Sequence, residues 1–152
     1  VRVVAVSHRD ADRFISGALG QMDVFLVFGT DAGLVSERTS TILRRCGVNP
    51  ANPDQIIRLD GDDLASNPGK LVEEAHGMGL FVEKRAIIIR AGGKQIGNPL
   101  EAILESPAPD CKIVIQAGGR GAHLRRYRML SGSGPRYRAA HRFKSEGCRT
   151  CH

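Results

Sequence analysis

Four short apolar runs, each separated from the next by a stretch of helical period, leave this chain few folds to choose from. The runs cover residues 23–29, 55–61, 85–90 and 111–116. The first is a near-continuous set of Val, Leu and Phe, the pattern of a strand buried on both faces; 85–90 is rich in β-branched Ile, and 55–61 and 111–116 read as strands beside them. Between the first two, Val35, Thr39, Ile42, Leu43 and Cys46 recur at helical spacing; Asp31 is placed to cap that helix and Gly47 to stop it. Between the next two, Asn67-Pro68 offers a cap and a proline first position, and the helix through Leu71, Val72 and Ala75 fades at Gly77 and Gly79. Residues 100–105 form a short third helix. Strands alternating with helices in this way predict an α/β fold, a mostly parallel sheet flanked by helices. Residues 1–20 are expected to pack before it, burying Phe14, Ile15 and Leu19.

In such a fold a nucleotide is held where the first strand turns into the first helix, because backbone amides and the helix dipole favour an anion there. Residues 29–36 occupy that place. A phosphate loop needs Gly, four residues, Gly, Lys, then Ser or Thr. Counted from Gly29, the second glycine falls at Leu34 and the lysine at Val35; Gly33 is one position early, and only Ser36 fits. Without the lysine the β- and γ-phosphates lose their point charge. The corner therefore reads as a degenerate nucleotide loop, not expected to bind, and no cofactor is expected.

A second unusual place is residues 75–85, where a helix must hand over to a strand. Two large apolar residues, Leu80 and Phe81, follow Gly77, Met78 and Gly79. Either they fold back onto the sheet, as most apolar loop residues do in part, or they stand out as anchors for a partner's pocket. Their chemistry alone leaves both readings open.

Charge divides the chain. Up to Gly119 there are 13 Lys and Arg against 15 Asp and Glu, a net −2; from Arg120 onward there are 9 against 1, a net +8. Residues 1–119 thus form the body, and residues 120–152 a basic tail around Ser131-Gly132-Ser133-Gly134-Pro135, without helical or strand period. Arg120, Arg125, Arg126 and Arg128 are the candidates there for contact with DNA phosphates. The abrupt loss of acids and of periodicity is also what a shifted reading frame or truncated gene would produce; the other two frames beyond Gly119 would then hold the missing continuation. With aromatic content of 5% and no Trp, the chain is poorly equipped to stack single-stranded bases. It has neither a signal peptide nor a run of membrane-spanning length, so a cytoplasmic location is expected.

Other chemistry is thinly supported. The ending Cys148-Arg149-Thr150-Cys151-His152 spells a c-type haem attachment motif, but it lies on a tail without predicted support, and zinc would lack a clear fourth ligand beyond His141. Asp60, Asp62 and Asp63 sit after a strand, where acidic clusters hold Mg²⁺, though solvated loop carboxylates are the expected reading. Cys46 and Cys111 fall at core positions and are expected to be inert. The five histidines are scattered, so intrinsic catalysis is not expected.

Several segments occur together in a recognisable order: FGTDAGLVSER at 28–38, RLDGDDL at 58–64, GLF at 79–81 and KRAIIIRAGG at 84–93, preceded by AVSHRDADRF at 5–14. This set, spread over about residues 1–118, resembles the N-terminal region of the delta subunit of the bacterial DNA polymerase III clamp loader. The resemblance implies a degenerate AAA+ domain that binds no ATP and acts in DNA replication within the DNA polymerase III complex, a nucleotidyltransferase. It implies that Leu80 and Phe81, with Met78 beside them, wedge into the beta sliding clamp and help open it. The family often has Ser where this chain has Gly79. A delta subunit is more than twice as long and carries lid and collar domains for contact with other clamp-loader subunits, so the resemblance implies a module that holds a clamp without loading one. The alternatives are a nucleic-acid-binding module acting through the tail and a P-loop nucleotide-binding enzyme.

Overall fold

Parallel strands rich in Val and Ile need cover on both faces, and this chain supplies it with helices drawn from the intervening segments. A computed structural model describes residues 5–6, 11–17, 19, 22–77, 84–94, 96–106, 108, 110–118 and 140–145. Its strands are β1 (Ala5–Val6), β2 (Val24–Gly29), β3 (Ile56–Asp60), β4 (Arg85–Arg90), β5 (Cys111–Gly118) and β6 (Ala140–Ser145). Its helices are α1 (Ala11–Gly17), α2 (Ala32–Arg45), α3 (Gly61–Ser66), α4 (Gly69–His76) and α5 (Gly97–Glu105). All six strands lie parallel in one sheet, in the order β1-β6-β2-β5-β4-β3. The α/β class and the four expected strands are therefore as the apolar runs predict.

Alternate strand residues divide between two cores. On one face Phe25, Val27, Ala86 and Val114 pack with Ile15 of α1 and Val35, Ile42 and Leu43 of α2. On the other, Leu26, Ile87, Ile89, Ile113 and Ile115 pack with Leu64 of α3, Leu71 of α4 and Leu100 and Ile103 of α5. Ile15 and Leu19 are buried as expected, whereas Phe14 is only half-buried.

The helix ends show how local sequence fixes the layout. Asp31 Oδ1 accepts the Leu34 amide at 3.0 Å, the expected cap of α2. At the other end Gly47 takes φ +83°, its amide donates to Arg44 and that of Val48 donates to Leu43. This left-handed closure satisfies two carbonyls and needs glycine. Asn67 behaves differently from its expected capping role. It terminates α3, its amide donating to Asp63 O at 3.0 Å, and α4 starts later without a side-chain cap. The reason is α3 itself: Asp60 Oδ1 accepts the Asp62 amide at 2.8 Å and starts a helix where a strand end and loop were expected.

The tail also departs from expectation. Instead of an irregular tail throughout, residues 140–145 form β6, paired with β2 from Val24↔Ala140 to Gly29↔Ser145. The outer edge of β2 presents a row of unpaired amides and carbonyls, and pairing to it uses backbone groups that every non-proline residue has. Ala-His-Arg-Phe-Lys-Ser carries no apolar run to announce such a strand.

Cys46 and Cys111 are free and buried. Burial pushes the Cys111 thiol from its ordinary 9.0 up to about 11, against the weaker opposing pull of Arg85 and Lys112; burial likewise raises Cys46. In a Cys148→Ser, Cys151→Ser variant, a thiol reagent at mildly alkaline pH should label neither remaining cysteine until the chain unfolds. Because the folded Cys111 value is raised, the stability tied to the neutral thiol is complete below pH 9.0 and is lost as pH rises through about 11. Alkaline unfolding should start earlier with Cys111 present than in a Cys111→Ala variant.

Candidate functional site

At the β2–α2 corner only Thr30 and Asp31 stand between the end of the strand at Gly29 and the start of the helix at Ala32. A phosphate cradle needs amides free to turn toward an anion, and here the anion is already internal. The Asp31 carboxylate lies over the first turn, taking the Leu34 amide, while the Val35 amide donates to Asp31 O at 3.1 Å. A Cβ on Gly33 would sit 3.2 Å from Asp31 Oδ1, so glycine lets the carboxylate fold in closely. Val35 is 7% exposed and belongs to the core beneath α2. Ser36 is exposed on the next position. The first turn thus presents a negative charge and no cation.

Two of the three carboxylates around the end of β3 have structural work. Asp60 caps α3, and Asp62 Oδ1 accepts the Lys94 amide at 2.7 Å, tying the β4–α5 connection to α3. Among the described residues, no three His, Cys, Asp or Glu side chains come together where they could hold a metal ion. The residues of the haem-like ending, Cys148, Cys151 and His152, lie outside the described residues, as do Arg120, Arg125, Arg126 and Arg128.

Met78, Gly79, Leu80 and Phe81 also lie outside them, but the two ends of their segment are described. One of the last carbonyls of α4, that of Ala75, accepts from Arg85 Nη2 at 3.5 Å. His76 Nδ1 pairs with Val72 O at 2.9 Å and its Nε2 with Ser106 Oγ at 3.4 Å. The cationic Arg85 at this helix C-terminus also complements the helix dipole. Lys84, following the segment, lines a cavity of about 370 Å³ with Arg44, Arg45, Lys112 and Asp110. Lys112 is itself ion-paired to Asp23 at 2.7 Å.

One grouping escapes sequence reading. At the C-terminal ends of β3, β4 and β5 the register sets Asp60 beside Arg90 and Arg90 beside Gln116. With Arg58, Ser36, Thr39 and Ser40 they line a cavity of about 410 Å³. Arg90 reads as the flank of one run and Arg58 as a polar interruption of another; only the strand order brings them to one place.

No protein-family model and no curated protein sequence matches the chain. Solved structures do. The chain is similar to the Bacillus subtilis DNA clamp loader delta protein, at 17% identity and a TM-score of 0.54, over 89% of this chain and 42% of that one. It is also similar to a DNA polymerase III gamma subunit-related protein from Thermotoga maritima, at 12% identity and a TM-score of 0.52, over 93% of this chain and 46% of that one. The chain spans less than half the length of either. At these identities the likeness establishes a shared α/β fold, a parallel sheet flanked by helices.

Proposed function

We propose that this chain is the clamp-binding N-terminal region of a clamp-loader delta subunit, acting in DNA replication as part of a DNA polymerase III complex. The observation that carries the reading is the structural likeness to a clamp loader delta protein across 89% of the chain. The ordered motifs point the same way. The anchors of the proposed contact are Leu80 and Phe81 with Met78 beside them, and the partner is a sliding clamp. The segment that carries them leaves α4 at a terminus fastened by Arg85 and His76, so an anchor there would act from a fixed base. No ATP hydrolysis of its own belongs to this reading, supported by the Asp31 carboxylate and the buried Val35 at the corner where phosphates would sit. Among the described residues no helix is long and apolar enough to cross a membrane; a cytoplasmic site of action follows from the proposed role.

A pull-down of the chain against the beta sliding clamp tests this directly. Interface anchors of this kind contribute about 2 kcal/mol or more each, so a Leu80→Ala, Phe81→Ala double variant should bind roughly a thousandfold more weakly. Circular dichroism should be unchanged. Equal binding by wild type and double variant refutes the anchor assignment, and ATP binding in the millimolar range by the wild type refutes the non-nucleotide reading.

A second reading rests on the +8 charge of residues 120–152, which suits DNA phosphates. Deleting the tail would remove β6 from the sheet along with the charge, so substitution is the cleaner test. Changing Arg120, Arg125, Arg126 and Arg128 to Gln should reduce the salt slope of DNA binding by about one for each arginine in contact. An unchanged slope removes these four residues from the DNA-binding reading.

A further inference from the structure

The cavity of about 410 Å³ beneath the N-terminal half of α2 has a composition that neither the nucleotide corner nor the clamp anchors explain. Its floor is the sheet. Positions two apart on a strand share a face, and Ile56, Ala86 and Val114 place the α2 face on the even-numbered residues of β3, β4 and β5. Arg58 and Asp60, Ile88 and Arg90, and Gln116 continue that face toward the C-terminal ends of the strands. Asp60, Arg90 and Gln116 stand at one level across three strands, with Arg58 and Ile88 one level below. Ser36, Thr39 and Ser40 of α2 form the roof and Pro50 closes one end. Because β3 is the edge strand, the cleft opens sideways.

One wall is already organised. Gln116 Nε2 donates to Thr39 Oγ1 at 3.0 Å, and that hydroxyl donates to Val35 O at 2.8 Å. Among the described residues, the Arg58 and Arg90 guanidinium groups and the Ser36 and Ser40 hydroxyls form no hydrogen bond or ion pair. Asp60 lies across the strand pair from Arg90 without an ion pair between them, and its Oδ1 is spent on the α3 amide of Asp62. The lining therefore carries two cations, one carboxylate and two free hydroxyl donors. Guanidinium groups match the planar pairs of oxygens on a phosphate, and hydroxyl donors add to such a grip. The volume is that of a small-molecule site. The C-terminal ends of parallel strands are where open α/β sheets hold ligands.

We propose that this cleft binds a phosphate monoester of sugar or nucleoside size. Arg58 and Arg90 hold the phosphate, Ser36 and Ser40 donate to it, and the Asp60 carboxylate accepts from a hydroxyl of the ligand. The cleft is separate from the nucleotide corner, with which it shares only Ser36. A duplex backbone, being convex, reaches a surface ridge more readily than a cleft roofed by a helix, so the small ligand is favoured over a polymer.

Calorimetric titration of the full chain with ribose 5-phosphate, adenosine monophosphate, inorganic phosphate and a short DNA duplex tests this. One or both esters should bind more tightly than inorganic phosphate and compete with it. Arg58→Gln and Arg90→Gln should each weaken that binding about tenfold or more, the effect of losing a charge-assisted bond, with the melting temperature unchanged. Arg44→Gln, at the far end of α2, should leave it intact. Ester binding that survives in the Arg58→Gln, Arg90→Gln double variant overturns the proposal. So does binding of no phosphate compound in the millimolar range, or binding of the duplex alone.

Discussion

Replacing Phe25 with Ala should lower the stability of the chain by about 3–5 kcal/mol. Phe25 is fully buried in β2, in register with Val114 of β5 on one side and His141 of β6 on the other. Its ring fills the core between the sheet and α2, where Val35, Ile42 and Leu43 meet it. A central parallel strand cannot move toward a void without breaking ladders on both sides, so the cavity stays open and the upper part of the range applies. Domains of this size are stable by about 5–15 kcal/mol in total. The variant should melt on the order of 6–20 °C lower than wild type. Thermal unfolding followed by circular dichroism measures this directly. A loss under about 1 kcal/mol would mean that α2 settles into the space, and that this face of the sheet is packed far less rigidly than its burial indicates.

How much of this architecture could be read beforehand depended on how loudly each residue spoke. The runs 23–29, 85–90 and 111–116 announced themselves because a strand covered on both faces must be apolar throughout, and they match β2, β4 and β5 closely. Asp31 and Gly47 marked both ends of α2 because capping and left-handed closure are chemistry of single residues. The α3 helix was missed. Six residues bury only Gly61 and Leu64, too few to set a period, and the signal present was Asp60 as a cap ahead of two acids in the first turn. β6 was missed because backbone pairing to an open edge leaves no mark on composition. The Arg58–Arg90 cleft was missed for a different reason. Its residues lie up to 80 positions apart, from Ser36 to Gln116, and only the strand order β5-β4-β3 makes neighbours of them. The degenerate corner was legible in outline from the valine at position 35, but the Asp31 carboxylate over the first turn is a matter of geometry.

The close approach of Asp62 to Gly92 predicts the second large effect. A methyl group added at Gly92 would lie 2.5 Å from Cγ and both carboxylate oxygens of Asp62, closer than atoms can pack. The φ of Gly92 lies outside the left-handed region, so its backbone suits alanine and the cost is purely one of space. Asp62 cannot retreat freely, because Oδ1 holds the Lys94 amide at 2.7 Å and the same connection is pinned by Lys94 Nζ on Ser66 Oγ at 3.1 Å. Gly92→Ala must therefore either overpack the site or release a charge-assisted hydrogen bond, and should cost about 2–3 kcal/mol. Asp62→Ala loses the same bond but removes the obstructing atoms. In that background, adding Gly92→Ala should cost only a few tenths of a kcal/mol, leaving a coupling of about 2 kcal/mol in a double-mutant cycle. Denaturant unfolding of the four proteins measures it. Additive losses would show that the methyl group meets something other than Asp62, and the clasp between α3 and the end of β4 would then have to be attributed to Lys94 and Ser66 alone.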